Sequence, residues 1–318
     1  MIQAAPAKVC RLIHTGQVIV DLVMQIDALP APGGDVLAAN ACFEVGGGFN
    51  VMAAARRSHM RVVYAGGHGS GRFGTMAREA LVKEGVEIAA PQVAGEDTGL
   101  CVALVDARAE RTFVSHIGAE GVLERSVLDG LQVTQHDIVY VSGYSLMLAD
   151  KAEVLVAWLE QLPAGTRVAF DPGPLVDAID GALLERVLVR VSIWTSNRLE
   201  ALRFATTDDL DAAFEAIAAR LPDDALTVVR DGAHGCEIRA SRQRDHVPGF
   251  AVDAVDTNGA GDAHTGVFLA LLASGADART AATRANAAAA LAVTRHGPAT
   301  APDARQIDVF LDERRGAA

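Results

Sequence analysis

Two kinds of apolar run alternate along this chain, and that alternation restricts the fold more than any other property of the sequence. Short β-branched runs stand at Arg61–Ala65, Asp137–Ser142, Arg167–Phe170, Val191–Thr195 and Leu226–Val229. Ala- and Leu-rich runs of helical character stand at Val51–Arg57, Thr75–Glu84, Ala152–Leu162, Leu199–Phe204, Leu210–Leu221, Ala263–Leu272 and Arg279–Val293. Strands that lack polar alternation are buried on both faces. Each is followed here by an amphipathic helix, so the pattern predicts an α/β fold with a central, mostly parallel sheet between helical layers.

Two regions depart from this rhythm. Val18–Val45 holds an apolar run, a turn at Pro30-Ala31-Pro32-Gly33-Gly34 and a second run, with no helix between them. Thr98–His116 repeats the pattern: Leu100–Val105, a polar turn around Asp106–Glu110, then Arg111–Ser115. Both read as antiparallel excursions from the α/β body. With no linker or repeat, the expectation is one domain over residues 1–318, with a small β-sheet lid formed by about residues 18–45 and 98–116.

The bulk numbers exclude several functions. The 28 Lys and Arg against 40 Asp and Glu give a net charge of −12. That balance argues against a general nucleic-acid or anionic-membrane surface, which needs clustered basic residues. A small phosphorylated ligand needs only a local pocket of N–H donors and stays open. Cys10, Cys42, Cys101 and Cys236 are scattered without metal-ligand spacing and are expected to be reduced thiols. The opening MIQAAPAKVCR has no apolar run of signal-peptide length, and no stretch approaches the roughly 20 apolar residues of a membrane span. The expectation is a soluble, cytoplasmic protein.

Gly69-Ser70-Gly71-Arg72-Phe73-Gly74 matches G-x-G-x-x-G between a strand and a helix. A dinucleotide site would place that motif on the first strand, with an acid closing the second strand about 20 residues later. Here it follows some 60 residues, and Glu87 opens a strand instead. The favoured reading is a glycine-rich turn that allows close backbone approach.

Asp256-Thr257-Asn258-Gly259-Ala260-Gly261-Asp262 lies between the apolar run Phe250–Val255, read as a strand, and the helical run Ala263–Leu272. Small residues at 259–261 thus fall at a helix N-terminus, where backbone N–H groups have no intrahelical partner. A phosphate can reach those donors and the positive end of the helix dipole. Asp262, in the first turn, is placed to take a proton from an alcohol attacking a phosphorus held there. A first-turn capping acid is the alternative.

This segment resembles D-T-x-G-A-G-D, the C-terminal signature of the ribokinase-like (PfkB) carbohydrate kinases, and the similarity extends along nearly the whole chain. Gly16 and Asp21 fall at the family's first-strand glycine and substrate-binding Asp. Gly46-Gly47-Gly48-Phe49-Asn50 resembles the glycine turn that touches the sugar, and Asn197-Arg198-Leu199-Glu200 matches N-x-x-E near the phosphates and Mg²⁺. Arg230-Asp231-Gly232-Ala233-His234-Gly235 stands where a strand end and turn contact ATP, and Asn286 where the last core helix borders the adenine.

The resemblance implies transfer of the γ-phosphate of MgATP to a hydroxyl of a sugar or sugar-containing molecule. Asp262 would be the base, with N–H groups around Gly259, Ala260 and Gly261 as the anion hole. Asp21, Gly46, Gly47, Gly48 and Asn50 would hold the acceptor, and Arg111, projecting from the lid, would reach substrate, phosphate or a partner subunit, with a solvated strand charge as the equal alternative. Asn197, Arg230, Gly232, Gly235 and Asn286 would bind ATP, and Glu200 would hold Mg²⁺ through water, although Asn197 and Glu200 also fit an ordinary capping pair. Asp256, Asn258, Ala292, Arg295 and Gly297 would surround a monovalent cation such as K⁺, with Ala301 where some relatives offer a hydroxyl. A homodimer through the lid is a further expectation.

The departures lie on the substrate side: Ile19 replaces a polar residue, and the glycine turn is one residue short. Asp171-Pro172-Gly173-Pro174 lacks a following basic residue, and Ser70–Gly74 lacks an acid. A nucleoside kinase, a binding protein without turnover and a dinucleotide oxidoreductase stay open as rivals. The Ile19 departure favours an acceptor other than plain ribose.

Overall fold

The computed structural model describes residues 10–108, 110–240 and 243–316. Residues 1–9 of the opening segment and Ala109 in the expected turn lie outside the described residues. The chain starts with β1 (Arg11–His14), turns out through the hairpin β2 (Val18–Gln25) and β3 (Asn40–Gly47), and returns by α1 (Gly48–Arg57) to β4 (Arg61–Tyr64). Next come β5 (His68–Gly69), α2 (Arg72–Lys83), β6 (Glu87–Ile88) and β7 (Gln92–Val93), then a second hairpin, β8 (Leu100–Val105) and β9 (Arg111–His116). Four β/α steps follow: α3 (Arg125–Gly130), β10 (Ile138–Ser142), α4 (Ala149–Leu159), β11 (Arg167–Asp171), α5 (Gly181–Leu188), β12 (Ile193–Asn197), α6 (Arg198–Ala205), α7 (Leu210–Ala219) and β13 (Leu226–Arg230). The chain closes with β14 (Gly235–Ala240), β15 (Gln243–Pro248), α8 (Ala260–Ala273), α9 (Ala278–Ala292) and α10 (Ala304–Gly316).

Nine strands form the main sheet in the order β15-β14-β13-β12-β11-β10-β1-β4-β6, parallel except for β14 and β15. Successive side chains on its strands enter opposite cores. Leu12, Val62, Ile138, Ala169, Ile193 and Val228 pack on the α1, α8 and α9 side, while Ile13, Val63, Val139, Phe170, Trp194 and Val229 pack on the α4, α5 and α7 side. Burial on both faces is what the absence of polar alternation required. A separate sheet joins the two hairpins in the order β3-β2-β8-β9. Each hairpin is antiparallel, and they meet through the parallel pair β2 and β8.

Four helices begin three residues before their apolar runs: α1 at 48 rather than 51, α2 at 72 rather than 75, α4 at 149 rather than 152, and α8 at 260 rather than 263. Their first turns mix glycine, alanine and polar residues with, in α1 and α2, a single Phe, and so carry too little apolar periodicity to mark the helix start. Phe250–Val255, expected as a strand, is not one. The N–H groups of Val255 and Asp256 both donate to the carbonyl of Val293, at 2.7 and 3.1 Å, tying the segment to the end of α9. Strand β12 runs two residues later than expected because the Val191 N–H closes the end of α5 on Leu188. The shift puts Asn197 at the strand's end.

Candidate active site

The C-terminal ends of β11, β12 and β13 carry Asp171, Asn197 and Arg230 side by side, and Asn197 and Arg230 are direct partners in the ladder. In an open parallel sheet this edge is where ligands bind. Arg230 is 12% exposed there; it donates to the hydroxyls of Thr195 (2.8 Å) and Thr265 (2.6 Å), and to the Asp171 carboxylate at 3.3 Å. Glu200 lies 3.8 Å from the same guanidinium. Burial opposes the arginine's charge, but Asp171, Glu200 and Asp262 together hold it above its ordinary pKa.

Helix α8 starts beside this cluster. Gly259 has φ +73°, and a Cβ on it would lie 1.7 Å from the Pro298 carbonyl oxygen, so only glycine fits the turn. Ala260 N–H makes a long 3.4 Å bond to Thr257, while the N–H groups of Gly259, Gly261 and Asp262 have no backbone partner among the described residues. Gly261 faces the Arg230 guanidinium, which a Cβ would approach to 3.5 Å. The donors that an anion needs are therefore backed by a buried positive charge.

Asp262 stands in the first turn, and its Oδ2 accepts from the Asn50 amide at 2.9 Å. Burial pushes its pKa up to about 6; the Asp171 charge adds to the shift, and Asn50 and Arg230 oppose it. Asn50 belongs to the first turn of α1, directly after the glycine turn, and α1 packs along α8. Gly47 takes φ +64°. Gly48 donates to the Gln17 carbonyl at 2.7 Å, and a Cβ on it would meet the His14 ring at 2.1 Å.

On β2, Asp21 faces Glu44 of β3 and Cys101 of β8 in the ladder. A Cβ at Gly46 would lie 2.3 Å from Asp21 Oδ2, so that glycine leaves room for the carboxylate. Burial raises the Asp21 pKa to about 6, with the charges of Glu44 and Asp262 adding and a hydrogen bond with the Cys101 thiol opposing. Asp21 is thus close enough to Asp262 to feel its charge.

Asn197 and Glu200 form a reciprocal capping box. Asn197 Oδ1 accepts from Glu200 N–H at 2.9 Å, and Glu200 Oε2 accepts from Asn197 N–H at 2.7 Å. The cap turns Glu200 inward, where burial and then the Asp171 charge push its pKa upward. Gly232 (φ +56°) is open at the surface, whereas Gly235 (φ +99°) is packed against the Val247 carbonyl. Asn286, expected to border the adenine, lies on α9 with its amide donating to the carbonyls of Val247 (3.0 Å) and Pro248 (3.1 Å), which pins the end of β15.

Arg111 also departs from expectation. Its guanidinium pairs with Asp256 rather than standing free for the acceptor. The Gly69–Gly74 turn is structural: Asp97 accepts from the N–H groups of Phe73 (3.1 Å) and Gly74 (2.8 Å), taking donors that a dinucleotide phosphate would need. Sequence reasoning missed Asp97, the Thr195 and Thr265 hydroxyls, and Asp171 as a partner of Arg230. The available signal for the last pair was a charged residue ending an apolar strand, as in Val168-Ala169-Phe170-Asp171 and Val228-Val229-Arg230.

Known proteins resemble this chain over nearly its whole length. The chain is 33% identical over 295 residues to the uncharacterized sugar kinase YegV of Escherichia coli, covering 92% of this chain and 91% of that protein. It is 28% identical over 308 residues to an ATP-dependent ribose-1-phosphate kinase of Halopiger xanaduensis, covering 96% and 99%. The ribokinase structure from Giardia lamblia superposes with a TM-score of 0.83 at 24% identity, covering 97% of this chain and all of that one. Residues 11–305 match the pfkB family carbohydrate kinases, and the chain belongs to that family of ATP-dependent phosphotransferases acting on sugar or nucleoside hydroxyls.

Proposed function

We propose that Asp262 is the general base of this kinase and that the N–H groups of Gly259, Gly261 and Asp262 receive the transferring phosphoryl group. The observation that carries the reading is their joint position: a carboxylate anchored by Asn50 at 2.9 Å, beside unpartnered donors at one helix start. Phosphoryl transfer asks little of a protein beyond positioning, charge stabilisation and a base for the incoming hydroxyl. Arg230 supports the donors from below. The carboxylate of Asp262 takes the acceptor proton as the new P–O bond forms and the bond to ADP breaks.

Asp21, given room by Gly46, accepts hydrogen bonds from acceptor hydroxyls, and the small sheet closes over the cleft as a lid that excludes water. The chain acts as one kinase domain. Magnesium fits the charge around the phosphates, since Asp171, Glu200 and Asp262 outnumber Arg230. Among the described residues no three His, Cys, Asp or Glu side chains converge at ligating range. The ion would therefore be held by Glu200 and Asp171 through water and by the nucleotide phosphates, as suits Mg²⁺. Bound there, it would neutralise charge on the transferring group. Four free cysteines and the need for ATP favour a cytoplasmic setting. Potassium has no part in the proposed mechanism, because the Asp256 carboxylate expected to face it is already paired with the Arg111 guanidinium.

On the acceptor side, Ile19 lies against the glycine turn, 3.4 Å from where a Gly47 Cβ would be. An apolar wall at that place favours a larger or substituted sugar over free ribose. ATP consumption with product mass, measured over sugars, sugar phosphates and nucleosides, tests the reading: one acceptor should be phosphorylated at rates far above background ATP hydrolysis. If none is, the kinase assignment of this site fails. If ribose is best by tenfold or more, about 1.4 kcal/mol of transition-state preference, the acceptor part fails alone.

A homodimer through the small sheet completes the proposal, since Phe113 and Val114 on β9 are 54% and 65% exposed. Sedimentation at micromolar concentration should give a dimer; a monomer removes that part.

A further inference from the structure

Asp256 is the carboxylate expected to face a monovalent cation, and in this protein it already faces one of the chain's own. Its Oδ1 accepts from the Arg111 guanidinium and from the Asn258 N–H at 2.8 Å, and its Oδ2 accepts from the Gly297 N–H at 3.1 Å. The Ala292 carbonyl beside it is also occupied. The Ala292 carbonyl accepts from the Arg295 N–H at 3.1 Å and from the Thr300 hydroxyl at 3.0 Å, while the Arg295 guanidinium donates to the Thr300 carbonyl at 3.3 Å. Ala301 offers no side-chain oxygen. The Asp256 carboxylate and the Ala292 carbonyl are thus aimed at N–H and O–H donors, and a bound cation would have to share Asp256 with the Arg111 guanidinium, whose like charge opposes it. With Arg111 seated, the residues do not fit potassium.

The pair is well shielded: the side chains of Arg111 and Asp256 are 18% and 15% exposed. Glu44 of β3 adds a second acid, with its carboxylate 3.3 Å from where a Gly297 Cβ would lie. Without Arg111, the Asp256 carboxylate would lose its charge partner while the like charge of Glu44 stays within range beside the turn before α8. With Arg111 in place, one carboxylate binds three segments together: β9, the turn before α8 and the loop after α9.

We propose that the Arg111 guanidinium replaces a monovalent cation beside the anion hole, fixing the Asp256–Gly259 turn so that phosphoryl transfer proceeds without potassium. The inference rests on the kinase reading above. Arg111 is a positioning residue, since it touches Asp256 and neither reacting group. Because it comes from the small sheet, its charge arrives at the turn only when that sheet is seated.

The test compares wild type, Arg111→Ala and Arg111→Lys in potassium, sodium and tetramethylammonium buffers, with millimolar guanidinium added in a further arm. Wild-type kcat should agree within twofold across the three cations. Arg111→Ala should lose tenfold or more in sodium and recover at least threefold with potassium or guanidinium. Arg111→Lys should keep at least a third of wild-type kcat. Thermal unfolding gives a second readout: potassium in place of sodium should raise the Arg111→Ala midpoint by about 2–4 °C and leave wild type unmoved, because a ligand stabilises only the protein that binds it.

Activation of wild type by potassium of fivefold or more overturns the proposal. So does an unimpaired alanine variant, and so does an impaired one that neither potassium nor guanidinium rescues and whose midpoint ignores potassium. Should the alanine variant fail to fold, the cation response of wild type and Arg111→Lys decides. If no acceptor is phosphorylated by wild type, the kinase reading falls, and the melting comparison judges Arg111 by itself.

Discussion

In the turn before α8, Asp256 is bonded on both oxygens, Asp262 is held by Asn50, and Arg230 is surrounded by two hydroxyls and two acids. On the outer strands of the small sheet, Phe43, Phe113 and Val114 stand 37%, 54% and 65% exposed, with β3 and β9 as open edges. The first region is finished within one chain. The second is a surface still to be covered, by substrate, by a partner or by both. The contrast teaches where the proposed specificities would reside: the phosphate side rests on backbone donors and buried charge, which leave little freedom to move, whereas the acceptor side rests on a thin sheet with open edges.

Substitutions at the two regions should therefore fail differently. Asp262→Asn should lower kcat about 10²–10⁴-fold, the usual contribution of a positioned base, while the affinity for ATP stays nearly constant because the N–H donors are backbone. Steady-state kinetics with calorimetric nucleotide binding checks this; a variant with more than about a tenth of wild-type kcat removes Asp262 from the role. Gly46→Ala acts on the other side. Its Cβ would displace the Asp21 carboxylate, so kcat/KM for the acceptor should fall about 10–100-fold, the size of one or two lost polar contacts. KM for ATP should not move. A matched rise in KM for both substrates would erase the division between the regions.

The smallest effect lies in the pH profile. In the proposed mechanism Asp262 acts as the ionised base, and burial raises its pKa to about 6. A raised carboxylate pKa means that protonation sets in earlier on acidification. For the free enzyme, kcat/KM should thus be level above pH 7 and fall as the pH drops through about 6. Asn50→Leu removes a hydrogen bond that favours the charged form, so the midpoint should move upward by about one unit, the equivalent of roughly 1.4 kcal/mol. A midpoint left in place, or shifted downward, would separate Asn50 from the base.

The α/β architecture was legible because doubly buried strands and amphipathic helices leave opposite periodicities in the sequence. The helix start at Ala260 that carries the proposed anion hole was legible too, since Gly259, Ala260 and Gly261 are small residues just before an apolar helical run. What escaped were relations between distant residues. Nothing local marks Arg111 as a partner of Asp256, because 145 positions separate them, and a lone arginine on a strand has many uses. The same holds for Asn286, whose amide bonds to the Val247 and Pro248 carbonyls link α9 to β15 across 39 and 38 positions. Phe250–Val255 had a strand's composition without a neighbouring strand to pair with, and pairing is not written in composition.

The parallel contact between β2 and β8 orders events in time. Hairpin β2–β3 can close as soon as it is made, but the other edge of β2 waits for Leu100–Val105, about 75 residues beyond Gln25. At roughly 5–20 residues per second, a chain under synthesis would carry that bare apolar edge for about 4–15 s. During that interval the edge is open to pairing with other nascent chains, so the yield of folded protein should depend on how quickly the intervening stretch is translated.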